Sequence, residues 1–207
     1  MKMRKILCLV FMMIVSTSAV SMASPVADCS LGQVSAGLNF SAPSLSASSG
    51  DSDGNLRVGY DVAAGLGLGF SGQYTFDDFK MKNSLNGSDE IKAQQLFLVD
   101  NVLDLVAKVS LFGGISQTQI IGGSEHRGFV AGIAGNIPVA PNMKAYAVYT
   151  AGNHVGGYEL GLSYQLAKDT EFNLGYRDTK YKGLTYSDGS SDDIKVKGLI
   201  GGISYKL

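Results

Sequence analysis

Side chains of unlike polarity alternate strictly along the segment Tyr158–Leu166. Its even positions are all Tyr or Leu, whereas its odd positions read Glu, Gly, Ser and Gln. A β-strand turns successive side chains to opposite faces, so this segment predicts a strand with one apolar face and one polar face. The pattern recurs along most of the chain. It predicts an all-β fold in which antiparallel strands close into an up-and-down barrel, with lipid outside and a polar lumen inside.

The chain begins with the features of a secretory signal peptide. A basic start, Met1–Lys5, precedes an apolar run, Ile6–Val15, and small residues follow up to Ala23. The run is shorter than the ~20 apolar residues of a membrane-spanning helix, so we expect cleavage after Ala23. This predicts a signal peptide at residues 1–23, export through the general secretory pathway, and a single barrel domain at residues 24–207.

Charge and cysteine content argue against nucleic-acid binding and against an internal disulfide. Three of the 17 basic residues lie in the leader, so the mature chain, with 18 acidic residues, is mildly acidic. Its charges are scattered and give no nucleic-acid-binding footprint. Cys8 leaves with the leader, and Cys29 is then alone, which excludes an internal disulfide. Asp28 stands where a lipoprotein signal has a small residue, so we expect Cys29 to be an unmodified thiol.

Ten segments alternate well enough to be predicted as strands. Their lengths of about 8–13 residues suit tilted membrane strands, which need ~9–11. They are Gln33–Phe40, Leu56–Ala63, Leu66–Phe76, Ile91–Val99, Leu103–Ile115, Arg127–Ile137, Met143–Ala151, Tyr158–Leu166, Glu171–Tyr181 and Ile194–Leu207. Ten strands place both termini on the same side of the membrane. A count of eight is the alternative.

The connections between these segments alternate in length. Long or moderately long polar connections are Ser41–Gly54, Asp77–Glu90, Gln117–His126, Gly152–Gly156 and Lys182–Asp193. Short ones are Ala64–Gly65, Asp100–Asn101, Pro138–Asn142 and Ala167–Thr170. Outer-membrane barrels have short periplasmic turns and longer outer loops. The alternation therefore predicts a barrel in the bacterial outer membrane with both termini in the periplasm.

The alternation along the predicted strands assigns a set of polar side chains to the face that lines the lumen. The set is Arg57, Asp61, Gln73, Asp104, Lys108, Lys144, Glu159, Gln165, Asn173 and Arg177. Its charges are nearly balanced, whereas an ion-selective pore usually carries one dominant sign. Charges in a narrow lumen are costly unless they are paired, so we expect a salt-bridged polar plug. A narrow water-filled path is the alternative.

Candidate catalytic groups are sparse and gather at the outer strand ends. His126 and His154 lie there, together with Glu125, Asp77–Asp78 and Asp192–Asp193. An acid beside a histidine could orient it as a general base, so an enzyme at the outer rim is an alternative. No nucleophile stands out, and the prediction is a protein that is not an enzyme.

Metal and cofactor sites have no support in the sequence. Cysteine and histidine never occur at the spacing of metal ligands, and Asp51–Asn55 lacks the distal Glu of a calcium loop. No glycine motif opens a helix where it could cradle a phosphate. We therefore expect no metal and no cofactor.

The end of the chain resembles the last hairpin of small Gram-negative outer-membrane barrels of the opacity-protein and OmpX/OmpA-barrel kind, within the porin-like superfamily. The residues that carry the resemblance are Gly157–Tyr164, Leu174–Arg177 and Gly201–Leu207. It implies assembly by periplasmic chaperones and the barrel-assembly machinery, which would read Ile203, Tyr205 and Leu207 as a terminal signal. Leu207 departs from the usual final Phe. Many members have eight strands rather than ten.

The function predicted from these features is a structural or surface-interaction role in the outer membrane. The expected partners are outer-membrane lipid and, at the outer loops, a cell-surface or host ligand, but no nucleic acid. A narrow porin-like channel and the outer-rim enzyme are the alternatives. A soluble lipocalin-like barrel would have the opposite polarity, with an apolar interior.

Overall fold

The computed structural model describes Val26 and residues 29–85 and 87–207. The predicted signal peptide and its cleavage site lie outside these residues and remain a prediction. Regular structure in the described part is β throughout. No helix in this part is long and apolar enough to cross a membrane.

Twelve strands follow one another along the chain, and most are longer than the sequence predicts. They are β1 (Val34–Ser41), β2 (Ser44–Ala47), β3 (Gly50–Asp53), β4 (Arg57–Gly67), β5 (Phe70–Leu85), β6 (Ser88–Asp104), β7 (Lys108–Ile120), β8 (Glu125–Ala140), β9 (Met143–Gly152), β10 (Val155–Ala167), β11 (Thr170–Thr185) and β12 (Ser191–Lys206).

Ten of these strands close into a barrel. Neighbours along the chain pair antiparallel from β4 to β12, and β1 pairs with both β4 and β12. Closure brings the two ends of the chain together, since Ser35 lies opposite Lys206. The predicted all-β, up-and-down barrel of ten strands is confirmed, and the alternative of eight strands is wrong. We call the end with both termini the inner end and the opposite end the outer end.

The faces of the wall follow the alternation from which the fold was predicted. On β10, Leu160 and Leu162 point outward and are 51% and 48% exposed, whereas Glu159 and Ser163 are buried inside. Apolar side chains face outward around this part of the barrel, as membrane lipid requires. The alternative of a soluble lipocalin-like barrel, with an apolar interior, is therefore wrong for this part of the barrel.

Two of the four inner turns lie a few residues from their predicted positions, whereas the turns after β8 and β10 fall where they were predicted. β6 continues through the predicted turn at Asp100–Asn101, bulges before Leu103 and ends at Asp104. The turn instead uses Leu105 and Val106, both more than three-quarters exposed. The first inner turn likewise falls at Leu68 rather than at Ala64–Gly65, with Leu68 in the left-handed region at φ 55°.

Three of the predicted long loops are mostly strand. β5 and β6 continue through the predicted loop Asp77–Glu90 to a turn around Gly87, and β7–β8 and β11–β12 extend in the same way. Apolar and polar side chains still alternate in these segments, but here the apolar ones face inward. Phe79 and Met81 point inward and are buried, while Lys80 between them points outward and is half-buried. We call this part of the molecule the outer extension.

The interior of the outer extension is an apolar core. Its side chains, none more than 2% exposed, are Leu45, Phe79, Met81, Ile91, Ile120, Val155, Tyr181, Leu184, Tyr186, Ile194 and Val196. Cross-strand pairs such as Phe79–Ile91 and Ile91–Ile120 join them around the wall. The outer extension therefore has the polarity of a soluble protein, stabilised by burial of apolar surface. We call this cluster the outer core.

The hairpin β2–β3 completes the wall of the outer extension. β1 ends at Ser41 and β4 begins at Arg57, so the barrel would have a gap between β12 and β5 above them. β2 pairs with Lys195–Lys197 of β12 and places Leu45 in the outer core. On the other side, the Ser52 hydroxyl donates to the backbone oxygen of Asn83 (2.9 Å) and accepts from its N–H (3.1 Å). The predicted loop Ser41–Gly54 is thus a structured part of the wall.

Candidate functional site

An ion-pair bridge crosses the lumen below the outer core. Arg177 on β11 donates from Nε to Oε2 of Glu159 on β10 (2.7 Å) and from Nη1 to Oδ2 of Asp77 on β5 (2.8 Å). The Tyr146 hydroxyl on β9 donates to the other Glu159 oxygen at 3.0 Å. One guanidinium thus links strands from opposite parts of the ring, because it can serve two carboxylates at once.

Two glycines make room for this arrangement. A Cβ on Gly161 or Gly175 would lie 2.5 Å from the Tyr146 hydroxyl. The two residues face each other across β10 and β11, so their bare backbones form a shallow bed for the Tyr146 ring. The glycine-rich inner face of these strands therefore positions the tyrosine that orients Glu159.

The bridge borders a small polar cavity of about 80 Å³. Asn39, Asp61, Asp77, Glu159 and Arg177 are among the polar residues that line it. Asp61 accepts a hydrogen bond from Nδ2 of Asn39 at 3.1 Å. Three carboxyl groups surround one guanidinium at this level, and a cavity of this size holds only a few waters. We call this level the acidic layer.

The charges at the inner end have the opposite sign. Lys108, Lys144 and Lys206 point inward near the termini, with Glu171 as their buried acid. The Lys144 ammonium lies 3.9 Å from Glu171, and Lys108 lies 3.1 Å from Asp104 at the open edge. The lumen charges are therefore sorted by level, with basic groups towards the inner end and acidic groups at mid-height.

The structure places most of the predicted lumen residues inside the barrel. Gln73, Lys108, Glu159 and Asn173 are buried, and Asp61, Lys144 and Arg177 are half-buried on the inner face. Two members lie at the inner edge instead. Gln165 donates to the backbone oxygen of Lys168 in a turn, and Asp104 is 66% exposed after the β6 bulge.

Arg57 is a correction, because it does not join the lumen group. Its guanidinium lies 3.8 Å from Asp78 and 4.0 Å from Glu90. Both acids share the outward face with Leu96, which is 51% exposed. Arg57 is the first residue of β4, at the top of that strand, where its long side chain reaches the outer surface of β5 and β6.

Several lumen residues were not found from the sequence. Asp77 was assigned to a loop, although the alternation of β5 runs through it to Phe79. Asn39, Glu171 and Lys206 share the inward parity of their strands and could have been found by extending it. Tyr146 lies two residues after Lys144 on β9 and shares its inward face, so it could have been found in the same way.

Aromatic side chains narrow the barrel at two levels. Phe97 and Phe112 meet edge to face with ring centres 5.0 Å apart, and both are nearly buried. Higher up, Phe79 and Tyr181 lie 6.2 Å apart within the outer core. The polar cavity therefore lies between an aromatic pair in the wall and the apolar core above it.

The N-terminal segment also reaches the lumen. Val26 is 3% exposed and borders the polar cavity, and Cys29 is a buried free thiol. Leu31 bridges to Gly65, where a Cβ would lie 1.8 Å from the backbone oxygen of Ser30. Gly65 thus permits a close approach of the N-terminal backbone to β4.

The outer mouth brings the two histidines together. The rings of His126 on β8 and His154 in the β9–β10 turn lie with their centres 5.5 Å apart. Nε2 of His126 lies 3.0 Å from the Thr185 hydroxyl on β11. They are 28 positions apart in the chain, and the pairing of β8 with β9 brings the turn after β9 beside β8.

The acids predicted to assist these histidines are engaged elsewhere. Glu125 faces outward and accepts hydrogen bonds from Arg127 and Gln117. Asp192 accepts from Ser48, and Asp193 pairs with Lys180. Within residues 29–85 and 87–207, no group of three or more His, Cys, Asp or Glu side chains could hold a metal ion.

A family model described as the outer membrane protein β-barrel domain matches residues 8–206. The chain belongs to this family. Its localisation is accordingly the outer membrane of a Gram-negative bacterium, in contact with the lipid bilayer. No curated protein sequence matches the chain.

Solved structures of outer-membrane proteins superpose on this chain to different degrees. The outer membrane protease OmpT from Escherichia coli superposes with a TM-score of 0.57 at 7% identity, covering 88% of this chain and 99% of that one. Neisserial surface protein A gives 0.47 at 13% identity over 84% and 96% of the two chains. Ail of Yersinia pestis gives 0.40 at 10% identity over 86% and 99%. At these identities the likeness concerns the fold alone.

Proposed function

We propose that this barrel is a non-catalytic, non-conducting outer-membrane protein that presents its outer extension as a rigid interaction surface. The observation that supports this most directly is the outer core, which occupies the interior of the barrel where a channel would open to the outside. Apolar side chains packed to exclude water form a high barrier to ions, because an ion there would lose its hydration without gaining a partner.

The lumen below the outer core supports the same proposal. The guanidinium of Arg177 is held by Glu159 and Asp77, and the cavity beside it has a volume of about 80 Å³. These side chains are linked through hydrogen bonds to strands on several sides. Opening a path for solutes would require breaking buried ion pairs.

The outer mouth lacks the arrangement expected of a rim enzyme. In the described residues, His126 contacts the hydroxyl of Thr185, and its neighbour Glu125 points to the other face of β8. A general base needs a partner that orients it and a substrate within hydrogen-bond reach. OmpT is a protease by name, and at 7% identity that activity is not carried over to this chain.

The outer extension suits recognition because it holds short polar turns on a packed core. Ser48–Ser49, Gly122–Ser124 and Ser187–Ser190 form exposed or half-exposed tips. A binding loop supported by a rigid scaffold loses little conformational entropy when it meets a partner. The expected partner is a molecule of a neighbouring or host cell surface that contacts these tips.

Two measurements test the proposal. The purified protein in planar lipid bilayers should show no conductance steps under conditions in which a porin control conducts, and regular steps from this protein would overturn the non-conducting part. Cells carrying a variant with Ser187–Ser190 replaced by a Gly-Ser linker should bind fewer glycans or matrix proteins on an array than wild-type cells. Equal binding by wild-type, variant and barrel-free cells would overturn the interaction role.

A further inference from the structure

We propose that His126 and His154 form a two-imidazole binding site for a borderline divalent metal ion, Cu²⁺ or Zn²⁺, at the outer mouth of the barrel. The two residues are the chain's complete set of histidines. The pairing of β8 with β9 brings the turn that carries His154 beside β8, and the two rings meet on the inner side of the wall.

The ring spacing fits shared coordination. A metal ion lies about 2.0–2.1 Å from an imidazole nitrogen, which places each ring centre about 3 Å from the ion. Two such rings at a tetrahedral angle have centres roughly 5 Å apart. The centres of His126 and His154 are 5.5 Å apart with the planes inclined at 60°. Small rotations about the side-chain bonds would direct one nitrogen of each ring to a common ion.

The backbone around His154 is held on two sides. The N–H of Asn153 donates to the Phe129 oxygen on β8 (3.1 Å), and the His154 oxygen accepts from the N–H of Lys182 on β11 (2.8 Å). The turn that carries His154 is therefore fixed relative to the strand that carries His126. A site with preset ligand positions loses less entropy when the ion binds.

Gly128 provides the space in which the two rings meet. It lies two residues after His126 on the same inward face of β8. A Cβ there would be 2.8 Å from Cδ2 of His154 and 3.1 Å from Cβ of Asn153. The absence of a side chain at Gly128 allows the His154 ring to lie against β8 beside His126.

Hydroxyl groups complete the surroundings. The Thr185 hydroxyl lies 3.0 Å from Nε2 of His126 and 3.0 Å from the Ser191 hydroxyl. These oxygens could ligate weakly or hold a metal-bound water. The ammonium of Lys182, whose backbone N–H contacts His154, donates to the backbone oxygen of Gly152 (3.4 Å). Both imidazoles are half-buried, so an ion can reach them from outside.

The chemistry of the donors favours particular metals. Neutral imidazole suits Zn²⁺ and Cu²⁺, and the order of affinities for first-row divalent ions peaks at Cu²⁺. Hard ions such as Mg²⁺ and Ca²⁺ prefer carboxylate and carbonyl oxygens, which this pair does not supply. Binding would clamp β8 to the β9–β10 turn, beside the contact with β11.

The test uses the untagged mature protein in detergent, titrated with Cu²⁺. Electron spin-echo modulation should detect two coordinated imidazoles in the wild type. The variants His126→Gln and His154→Gln should each lose one imidazole signal and weaken Cu²⁺ binding by roughly tenfold or more, in line with the cost of disturbing metal ligands. The double variant should lose the site, and Thr185→Val should keep both imidazoles.

Three results would overturn the proposal: one or no imidazole in the wild-type spectrum, wild-type affinity in either single variant, or equal binding by the double variant, as expected if the N-terminal amine binds the ion. The wild-type spectrum counts the imidazoles directly, so the test stands even if a variant fails to fold. Zn²⁺ titration by calorimetry should give the same ranking of variants.

Discussion

Phe76 and Phe79 lie three residues apart on β5 and face opposite sides of the wall. Phe76 points outward and stacks on Tyr60 with ring centres 5.2 Å apart, whereas Phe79 points inward towards Tyr181 at 6.2 Å. Apolar side chains are thus on the outside below this point and on the inside above it. The reversal marks the level at which the barrel leaves the lipid and enters water.

Phe79→Ala should loosen the outer extension while the membrane part stays folded. The change removes most of a buried ring, for which a loss of about 3–5 kcal/mol is typical in a packed core. We expect protease cleavage near Gly87 in otherwise intact barrels, detected by mass spectrometry. Phe76→Ala is the matched control, since that ring faces outward, and it should leave the turn resistant. Equal resistance of both variants would contradict the role of the outer core.

Arg177→Met should destabilise the barrel strongly. It leaves Glu159 and Asp77 without their shared cation, and breaking a buried pair from one side costs about 3 kcal/mol or more. Urea unfolding in detergent, followed by the shift between folded and unfolded bands on a gel, measures the free energy of unfolding. Adding Glu159→Gln to this variant should recover part of the loss. A change below about 1 kcal/mol, as for a surface pair, would argue against the bridge.

Gly175→Ala should be costly, whereas Gly201→Ala should be tolerated. The added Cβ at Gly175 would lie 2.5 Å from the Tyr146 hydroxyl and 2.8 Å from the Leu160 backbone oxygen, but at Gly201 the nearest atom is 3.6 Å away. Overpacking of this kind costs about 1–3 kcal/mol. Thermal unfolding of the two variants compares them directly. Tyr146→Phe should rescue Gly175→Ala only in part, because the backbone contact remains.

Tyr205→Asn should lower the amount of folded barrel in the outer membrane. Tyr205 points outward near the end of β12 and is 51% exposed. Ile203 and Leu207 lie on the same face and are 40% and 73% exposed. If the assembly machinery reads this row, its loss slows insertion more than it destabilises the folded protein. Ser204→Ala, on the inner face, is the control. Membrane fractions analysed with and without boiling would report the folded share.

Much of the barrel could be predicted because its membrane part obeys one simple rule. Lipid outside and a polar lumen inside impose an alternation that segments such as Tyr158–Leu166 display without interruption. Strand order and closure then follow, because short connections allow only antiparallel neighbours. The fold, the strand number and the direction of the faces were accessible for this reason.

The outer extension could not be predicted from that rule, because its apolar side chains face inward and its polar side chains face outward. Lys80 and Lys82 face outward there, so their segment looked like a solvated loop although the buried Phe79 and Met81 alternate with them. The same misassignment removed Asp77 from the lumen. Contacts across the ring, such as that of Arg177 with Asp77, depend on the closed barrel and leave no local pattern.

The reversal at Phe76 and Phe79 also fixes how deeply the protein sits in its membrane. Many barrels are held at the interface by tryptophan, which this chain lacks. A shift inward by two residues, roughly 6–7 Å along a strand, would carry the outward charges of Asp78, Lys80 and Lys195 into hydrocarbon. A lysine on the lipid face costs about 2–4 kcal/mol at the bilayer midplane and less near the interface, so the cost rises with the depth of the shift. Charged side chains above an apolar belt can therefore fix the depth of the barrel in the bilayer without an aromatic girdle of tryptophans.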